Sequence, residues 1–456
     1  MATERGPIVP PAPVPPERDL SLWPYLRAVR DNAVASWPAR AYRETVTERH
    51  LLGRRSLTVT DPEGIRRILV DNPGNYVRTP ATRRVLRPML GDGLLISEGA
   101  PWRHQRRTLA PAFTPRATDG LVPLIAAAVH DTLESIEGQA RRGPVAVFPE
   151  LHRMALEIAG RTMFSVGMEH HGERLRGMME RYGRRLGRPH LLDMILPITW
   201  PAPLDLPRAL FRRRWVRFLD RIIADRAVEE AGGPARDLLD LLGETRDPET
   251  GRGFTPEELR DQVATMLLAG HETTAATLLW ACYLLCLDPE TQERAAAEAA
   301  ASGVEDDPAG ALAGRLTFVR AVVDETLRLY PPAFVIVRAA RGPDTVAGHP
   351  VAAGDILLTP PWVLHRHRAH WRDPDAFDPT RFLPEASPPR RFTYLPFGAG
   401  PRVCIGASFA LTEATLALAG LLARFRIRLP PGEPVMTAAI VTTQPDRSPA
   451  FHLSRR

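Results

Sequence analysis

No lysine occurs anywhere in the chain, so its 59 basic residues are all arginine and the net charge of +6 rests on guanidinium groups alone. This bias, beside abundant alanine, glycine and proline, reads first as a property of the coding genome. The arginines are interspersed with acids. Runs such as Arg106-Arg107 and Arg212-Arg213-Arg214 carry no stacking motif and read as solvated helix faces, which argues against a nucleic-acid partner. Cysteine is nearly as scarce. Cys282, Cys286 and Cys404 are the only three, too few for a disulfide framework and spaced for no structural zinc site, so a reducing cytoplasm is the expected location. No apolar run of roughly 18 residues is evident, so neither a membrane anchor nor a secretory segment is expected. There is no internal repeat.

What is present is a 456-residue chain, 44% hydrophobic and 25% charged, long enough to bury a large core. Its opening stretch, Gly6 to Pro16, is so rich in proline that only an extended, poorly hydrogen-bonded lead-in is expected over residues 1–19. The folded body is expected over residues 20–456.

The most informative stretch lies near the C-terminus: Phe397-Gly398-Ala399-Gly400-Pro401-Arg402-Val403-Cys404-Ile405-Gly406. Glycines bracket one cysteine, an arginine stands two residues before it, and an apolar segment of helical character follows. A haem iron needs this from a thiolate ligand: backbone that bends close under a flat macrocycle, amide N–H groups beside the sulfur, and a cation for a haem carboxylate. The pattern Phe-x-x-Gly-x-Arg-x-Cys-x-Gly arises by chance in such a composition with odds on the order of 10⁻⁴. A buried free cysteine in a turn is the competing explanation.

A long helix is expected from Thr255-Pro256-Glu257-Glu258 to Leu287. Thr255 caps it, Pro256 suits its first turn, Glu258 completes a capping box, and Asp288-Pro289 ends it. At roughly 32 residues it extends about 48 Å and, apolar over most of its circumference, should be buried. Within it, Ala269-Gly270-His271-Glu272-Thr273-Thr274 breaks local rules. A mid-helix glycine costs roughly 1 kcal/mol, and Glu and Thr in an apolar stretch need partners. Gly270 would admit a flat ligand, and Thr273, by turning its hydroxyl toward a backbone carbonyl, would loosen the helix beside a small bound molecule.

Two further elements carry charge in suggestive spacing. Glu325 and Arg328 share a helix face at i and i+3, among apolar neighbours, and Arg381 could complete a buried network with them. Trp102 and Arg106, at i and i+4, point an indole N–H and a guanidinium the same way, as a buried carboxylate would need.

Together, in this order and spacing, these elements resemble the cytochrome P-450 family from about residue 20 to the C-terminus. The resemblance implies a mainly α fold with a minor β lobe, a single large domain whose long central helix lies over the haem. Strand candidates occur at Ser56–Val59, Thr345–Val346, Asp355–Thr359 and near Ile440–Thr443. It implies Cys404 as the iron ligand of haem b, with Phe397, Gly398, Gly406 and Ala269 around the macrocycle, and Trp102, Arg106, Arg338 and Arg402 on its carboxylates. Glu325, Arg328 and Arg381 become structural.

The same resemblance implies monooxygenation, hydroxylation or epoxidation, with Thr273 as the hydrogen-bonding hydroxyl of oxygen activation and Glu272 as the acid that admits protons. A peroxide-driven relative, an isomerase or dehydratase, and a haem sensor or carrier remain alternatives. No flavin or iron–sulfur domain is expected in the chain, so electrons would come from a ferredoxin or flavodoxin with its reductase, drawn to a face carrying Arg103, Arg107, Arg390 and Arg391. The enzyme is expected to be a soluble monomer. The substrate pocket implied is apolar: Val85, Leu86 and Met89; Thr265 and Leu268; Ala333, Phe334 and Ile336. Arg83, Arg84 and Arg87 could anchor a carboxylate but read more simply as exposed.

Overall fold

The structure, a computed structural model, describes residues 7–51, 53–164, 171–188, 190–229 and 238–456. Helices dominate, and the small sheets are short-stranded. The chain divides into two compact units. One comprises residues up to Val77, Val129–Leu151 and Thr273–Arg456; the other comprises Arg78–Ala128 and His152–Glu272. The division falls inside the long helix, between Glu272 and Thr273.

In the first unit a five-stranded sheet orders its strands Val46–Leu51, Arg54–Val59, Ile356–Thr359, Ile336–Ala340 and Tyr76–Val77. Leu57, Leu357 and Val346 are buried beside Ile65 and Ile68, giving the sheet an apolar underside. Of the expected strands, Ser56–Val59, Thr345–Val346 and Asp355–Thr359 fall on or within a residue of observed ones. The segment near Ile440–Thr443 does so only at its end: Thr443 opens strand Thr443–Pro445 and pairs with Ala439, so Ile440, Val441 and Thr442 form the loop of a hairpin despite their β-branched side chains.

Helices Pro289–Ser302, Thr317–Leu329 and Ala407–Arg424 pack on one another in the same unit. The last of these is long and apolar enough to cross a membrane, at a mean hydropathy of 1.2, contrary to the sequence expectation that no such run exists. Its residues Ala414 to Leu422 are buried in protein, which accounts for their apolar character without a bilayer.

The expected network of Glu325, Arg328 and Arg381 forms here. The Arg328 guanidinium grips both carboxylate oxygens of Glu325 at 2.6 and 2.7 Å, with both side chains fully buried. It also donates to the carbonyls of His365, Pro374 and Ala376. Arg381 approaches Glu325 at 3.7 Å. Burial alone would raise the Glu325 carboxyl strongly, and the neighbouring guanidinium opposes that.

The proline-rich lead-in is extended, but it is better bonded than its composition implies. The Phe377 N–H donates to the Ile8 carbonyl, the Tyr330 hydroxyl to Pro11 and the Ala39 N–H to Pro16, each at 2.8 Å. Proline lacks an N–H but keeps its carbonyl, so such a strap accepts from the body it lies on.

In the second unit the helix Pro80–Leu90 is held from two sides. The Tyr182 hydroxyl donates to the Val85 carbonyl at 2.5 Å and the Trp215 indole N–H to the Met89 carbonyl at 2.7 Å. The Met89 carbonyl is free to accept because the helix ends at Leu90, before an i+4 donor could reach it.

Candidate active site

The cysteine loop belongs wholly to the first unit. Gly398 and Gly400 both have positive φ, 72° and 71°, where other residues are strained. A Cβ at Gly400 would also lie 1.9 Å from the Leu69 carbonyl oxygen, so no other residue fits. A Cβ at Gly398 would meet Ile336 at 3.6 Å. The Cys404 N–H donates to the Phe397 carbonyl at 2.9 Å, closing the loop, and the Cys404 side chain is exposed while Cys282 is buried. Two residues on, Gly406 caps helix Ala407–Arg424, whose N-terminal dipole favours a thiolate nearby. Burial pushes the Cys282 thiol up to about 12 and raises Cys286 well above the ordinary thiol range, beyond use as thiolates.

Arg402 ends the short helical turn Gly400–Arg402, and Arg338 stands in strand Ile336–Ala340 opposite Leu357. This set, an accessible thiol with two guanidinium groups in one unit, fits an iron macrocycle bearing carboxylates. Haem is therefore compatible with the residues present.

Thr273 opens the first unit's share of helix Pro256–Leu287. Its carbonyl accepts from the Thr277 hydroxyl at 2.9 Å, a side-chain-to-backbone bond that loosens this turn. Thr274 turns inward and donates to Glu413 at 3.3 Å. Glu413 is buried on the helix that follows the cysteine loop, its other oxygen has no hydrogen-bond partner among the described residues, and burial pushes it up to about 8. Sequence reasoning missed this residue. Its signal was a lone acid in the apolar run Ala407–Arg424, nine residues after Cys404.

Trp102 and Arg106 stand on helix Gly99–Leu109 of the second unit, as the spacing predicts. Between them His104 is buried, its Nδ1 3.1 Å from Asp247. Arg107 clasps the same carboxylate with two bonds of 2.8 Å, which holds Asp247 well below the usual carboxylate range. Arg107 is thus committed to Asp247 inside the unit rather than to the basic face expected from the sequence; Arg103, Arg390 and Arg391 are exposed.

Also in the second unit, Ala269 is exposed, Gly270 and Glu272 are half-buried, and a Cβ on Gly270 would meet nothing within 4 Å. His271 points the other way, its Nδ1 2.9 Å from the Leu267 carbonyl and its ring 5.4 Å from that of His152. Burial lowers His271 to about 4 and His152 to about 3, so both stay neutral at physiological pH.

Of the expected substrate contacts, Val85 and Met89 are buried and Leu86 and Leu268 half-buried. Thr265 spends its hydroxyl on the Asp261 carbonyl at 2.7 Å. In the first unit Ala333 is exposed, Ile336 half-buried, and Phe334 packs edge-on to Trp37 at 6.4 Å. Arg84 is buried and donates to the carbonyls of Leu192, Pro197 and Trp200, contrary to its expected exposure.

The cytochrome P450 family model matches residues 24–447. The chain belongs to the cytochrome P450 family. Cyclooctatin synthase of Streptomyces melanosporofaciens is 35% identical over 391 residues, 81% of this chain and 80% of that protein. Cyclooctat-9-en-7-ol 5-monooxygenase of the same organism is 32% identical, covering 94% of this chain and 95% of its own length. Among solved structures, the cytochrome P450DA heme domain superimposes with a TM-score of 0.81 at 25% identity, over 98% of this chain and 97% of that one. As a P450, this chain is a haem-thiolate monooxygenase; P450 monooxygenases in general use O2, an organic substrate and redox partners.

Proposed function

We propose that residues 20–456 form one haem domain that binds haem b through the Cys404 thiolate and oxygenates a cyclic, largely hydrocarbon alcohol. The observation that carries the first part is the exposed Cys404 on a loop whose Gly400 backbone only glycine can adopt. The substrate class rests on the relatives' names, one of which acts on cyclooctat-9-en-7-ol. Apolar Val85, Leu86, Met89, Leu268 and Ile336 suit such a guest.

When bound, the haem supplies oxygen activation, and donation from a thiolate favours O–O cleavage. The protein's own groups then have distinct tasks. Arg338, Arg402 and Arg106 would pair with the haem carboxylates, and Trp102 would donate its indole N–H to one of them. Thr273 offers a hydroxyl at the reaction site and Glu272 passes protons inward from water. Glu413, neutral up to about pH 8 because of its burial, holds a proton beside Thr274. One oxygen atom enters the substrate and the other leaves as water, with two electrons and two protons consumed. The electrons come from an acidic ferredoxin or flavodoxin with its reductase, met by exposed Arg103, Arg390 and Arg391 in a cytoplasmic, monomeric enzyme.

The test is an optical titration of the ferric protein with cyclic terpenoid alcohols, fatty acids, steroids and small aromatics. A saturable low-spin to high-spin shift is expected for the cyclic alcohols. A shift with fatty acids only would overturn the substrate class and leave the haem assignment intact.

A further inference from the structure

We propose that the second unit carries a separate ligand site, a surface pocket that takes an amphipathic anion: a carboxylate or phosphate head on an apolar body. The pocket has a volume of about 440 Å³ and is lined by Arg83, Arg84, Arg87, Arg208 and Arg212. Four carboxylates answer these five guanidinium groups. Arg208 is buried and bonded twice to Asp193, with Asp205 at 3.9 Å, while Arg87 pairs with Asp92 and Arg212 with Asp261. Arg84 spends its donors on backbone carbonyls. Arg83 has no ion pair among the described residues, and its Nε is buried without a hydrogen-bond partner. A buried donor left unpaired is costly, and a guanidinium fork matches carboxylate and phosphate oxygens.

Two of those carboxylates, Asp92 and Asp205, lie in the lining with Gly91, and the remaining wall is apolar. Pro88, Ile198 and Ala209 contribute to the wall, and exposed Trp200, Leu206 and Leu210 stand on the same segment as Ile198 and Ala209. A simple inorganic anion would have no use for that surface; an alkyl or ring system would cover it. None of Val85, Leu86 and Met89, the proposed substrate contacts on the same helix, lines the pocket. Arg83 and Arg87 share one face of Pro80–Leu90 at i and i+4, whereas buried Val85 and Met89 lie on the opposite face.

The experiment is calorimetric titration of the haem-loaded enzyme with decanoate, decyl phosphate and decan-1-ol below their aggregation limits, with the Soret band recorded in parallel. Both anions should bind once per chain without a spin shift, and decanol at least about tenfold more weakly. Arg83→Gln should weaken both anions about tenfold, and Arg87→Gln, at an exposed position, should weaken them in the same direction. Arg213→Gln, outside the pocket, should change nothing. Phosphatidylcholine vesicles with and without phosphatidylglycerol separate the sources. Arg83-dependent binding to the anionic vesicles identifies a lipid head group, and binding of the free anions alone identifies a soluble one. Equal affinity for decanol, undiminished affinity in both variants, or no binding in either arm would overturn the proposal.

Discussion

Thr274 donates its hydroxyl to Glu413 across 3.3 Å inside the protein, and the second oxygen of that carboxyl has no hydrogen-bond partner among the described residues. The pair joins the long helix to the helix that starts behind Cys404, within one compact unit. A carboxylate so placed would be a buried charge with one weak neutral donor, so the neutral acid is the stable form.

Glu413 therefore gives the fold a pH dependence of definite sign. Its folded value, about 8, lies above the ordinary 4.5, so the folded protein binds this proton more tightly than the unfolded chain. The contribution to stability is full below about pH 4.5 and is lost as pH rises to about 8. Glu413→Gln, which mimics the neutral acid, should gain on the wild type through that window. Urea unfolding of both proteins across the range checks it; parallel stability curves would contradict it.

Arg328 makes the opposite case, a charge that must stay. Its guanidinium answers Glu325 and three backbone carbonyls with full burial. Arg328→Leu leaves buried Glu325 with the Asp378 N–H at 2.8 Å and Arg381 at 3.7 Å, and the loss should be on the order of 3–5 kcal/mol. The expected result is little or no folded protein on expression. Arg328→Lys, which cannot fork, should be rescued only in part.

Gly400→Ala is expected to disturb the cysteine loop specifically. The new methyl carbon would sit 1.9 Å from the Leu69 carbonyl oxygen, on a backbone already at a φ of 71°. Helix content should survive while haem retention falls several-fold, measured as haem per protein after gel filtration. Gly53→Ala has positive φ too but open space around it, and serves as the control.

Thr273→Ala should separate electron use from product. Without the hydroxyl, reducing equivalents are still consumed but leave as peroxide, and product per electron pair drops by about tenfold or more. Oxygen uptake, peroxide and product measured together decide this; coupled turnover in the variant would remove Thr273 from the mechanism.

Much of this architecture was legible in the sequence because it rests on local rules. Thr255 and Glu258 exchange the two bonds of a capping box, at 3.0 and 3.2 Å, and the helix they start runs from Pro256 to Leu287 as its caps imply. The glycines of the cysteine loop announced a backbone that only glycine tolerates. What stayed hidden depends on distant partners. Arg84 and Arg107 look like surface residues until three carbonyls and Asp247 are brought to them by the fold. Ile440 to Thr442 are β-prone, yet the pairing of Ala439 with Thr443 makes them a loop. Glu413 could have been suspected as an acid in an apolar helix, but its partner Thr274 lies 139 positions away in the chain.

The central claim is that Cys404 supplies the thiolate. The most direct measurement is the carbon monoxide difference spectrum of the reduced protein, wild type beside Cys404→Ser. The wild type should show the red-shifted Soret band of a thiolate-bound ferrous haem, and the serine variant should lose it while any haem it retains absorbs at shorter wavelength. An unchanged red-shifted band in the variant, or no such band in the haem-loaded wild type, would contradict the assignment.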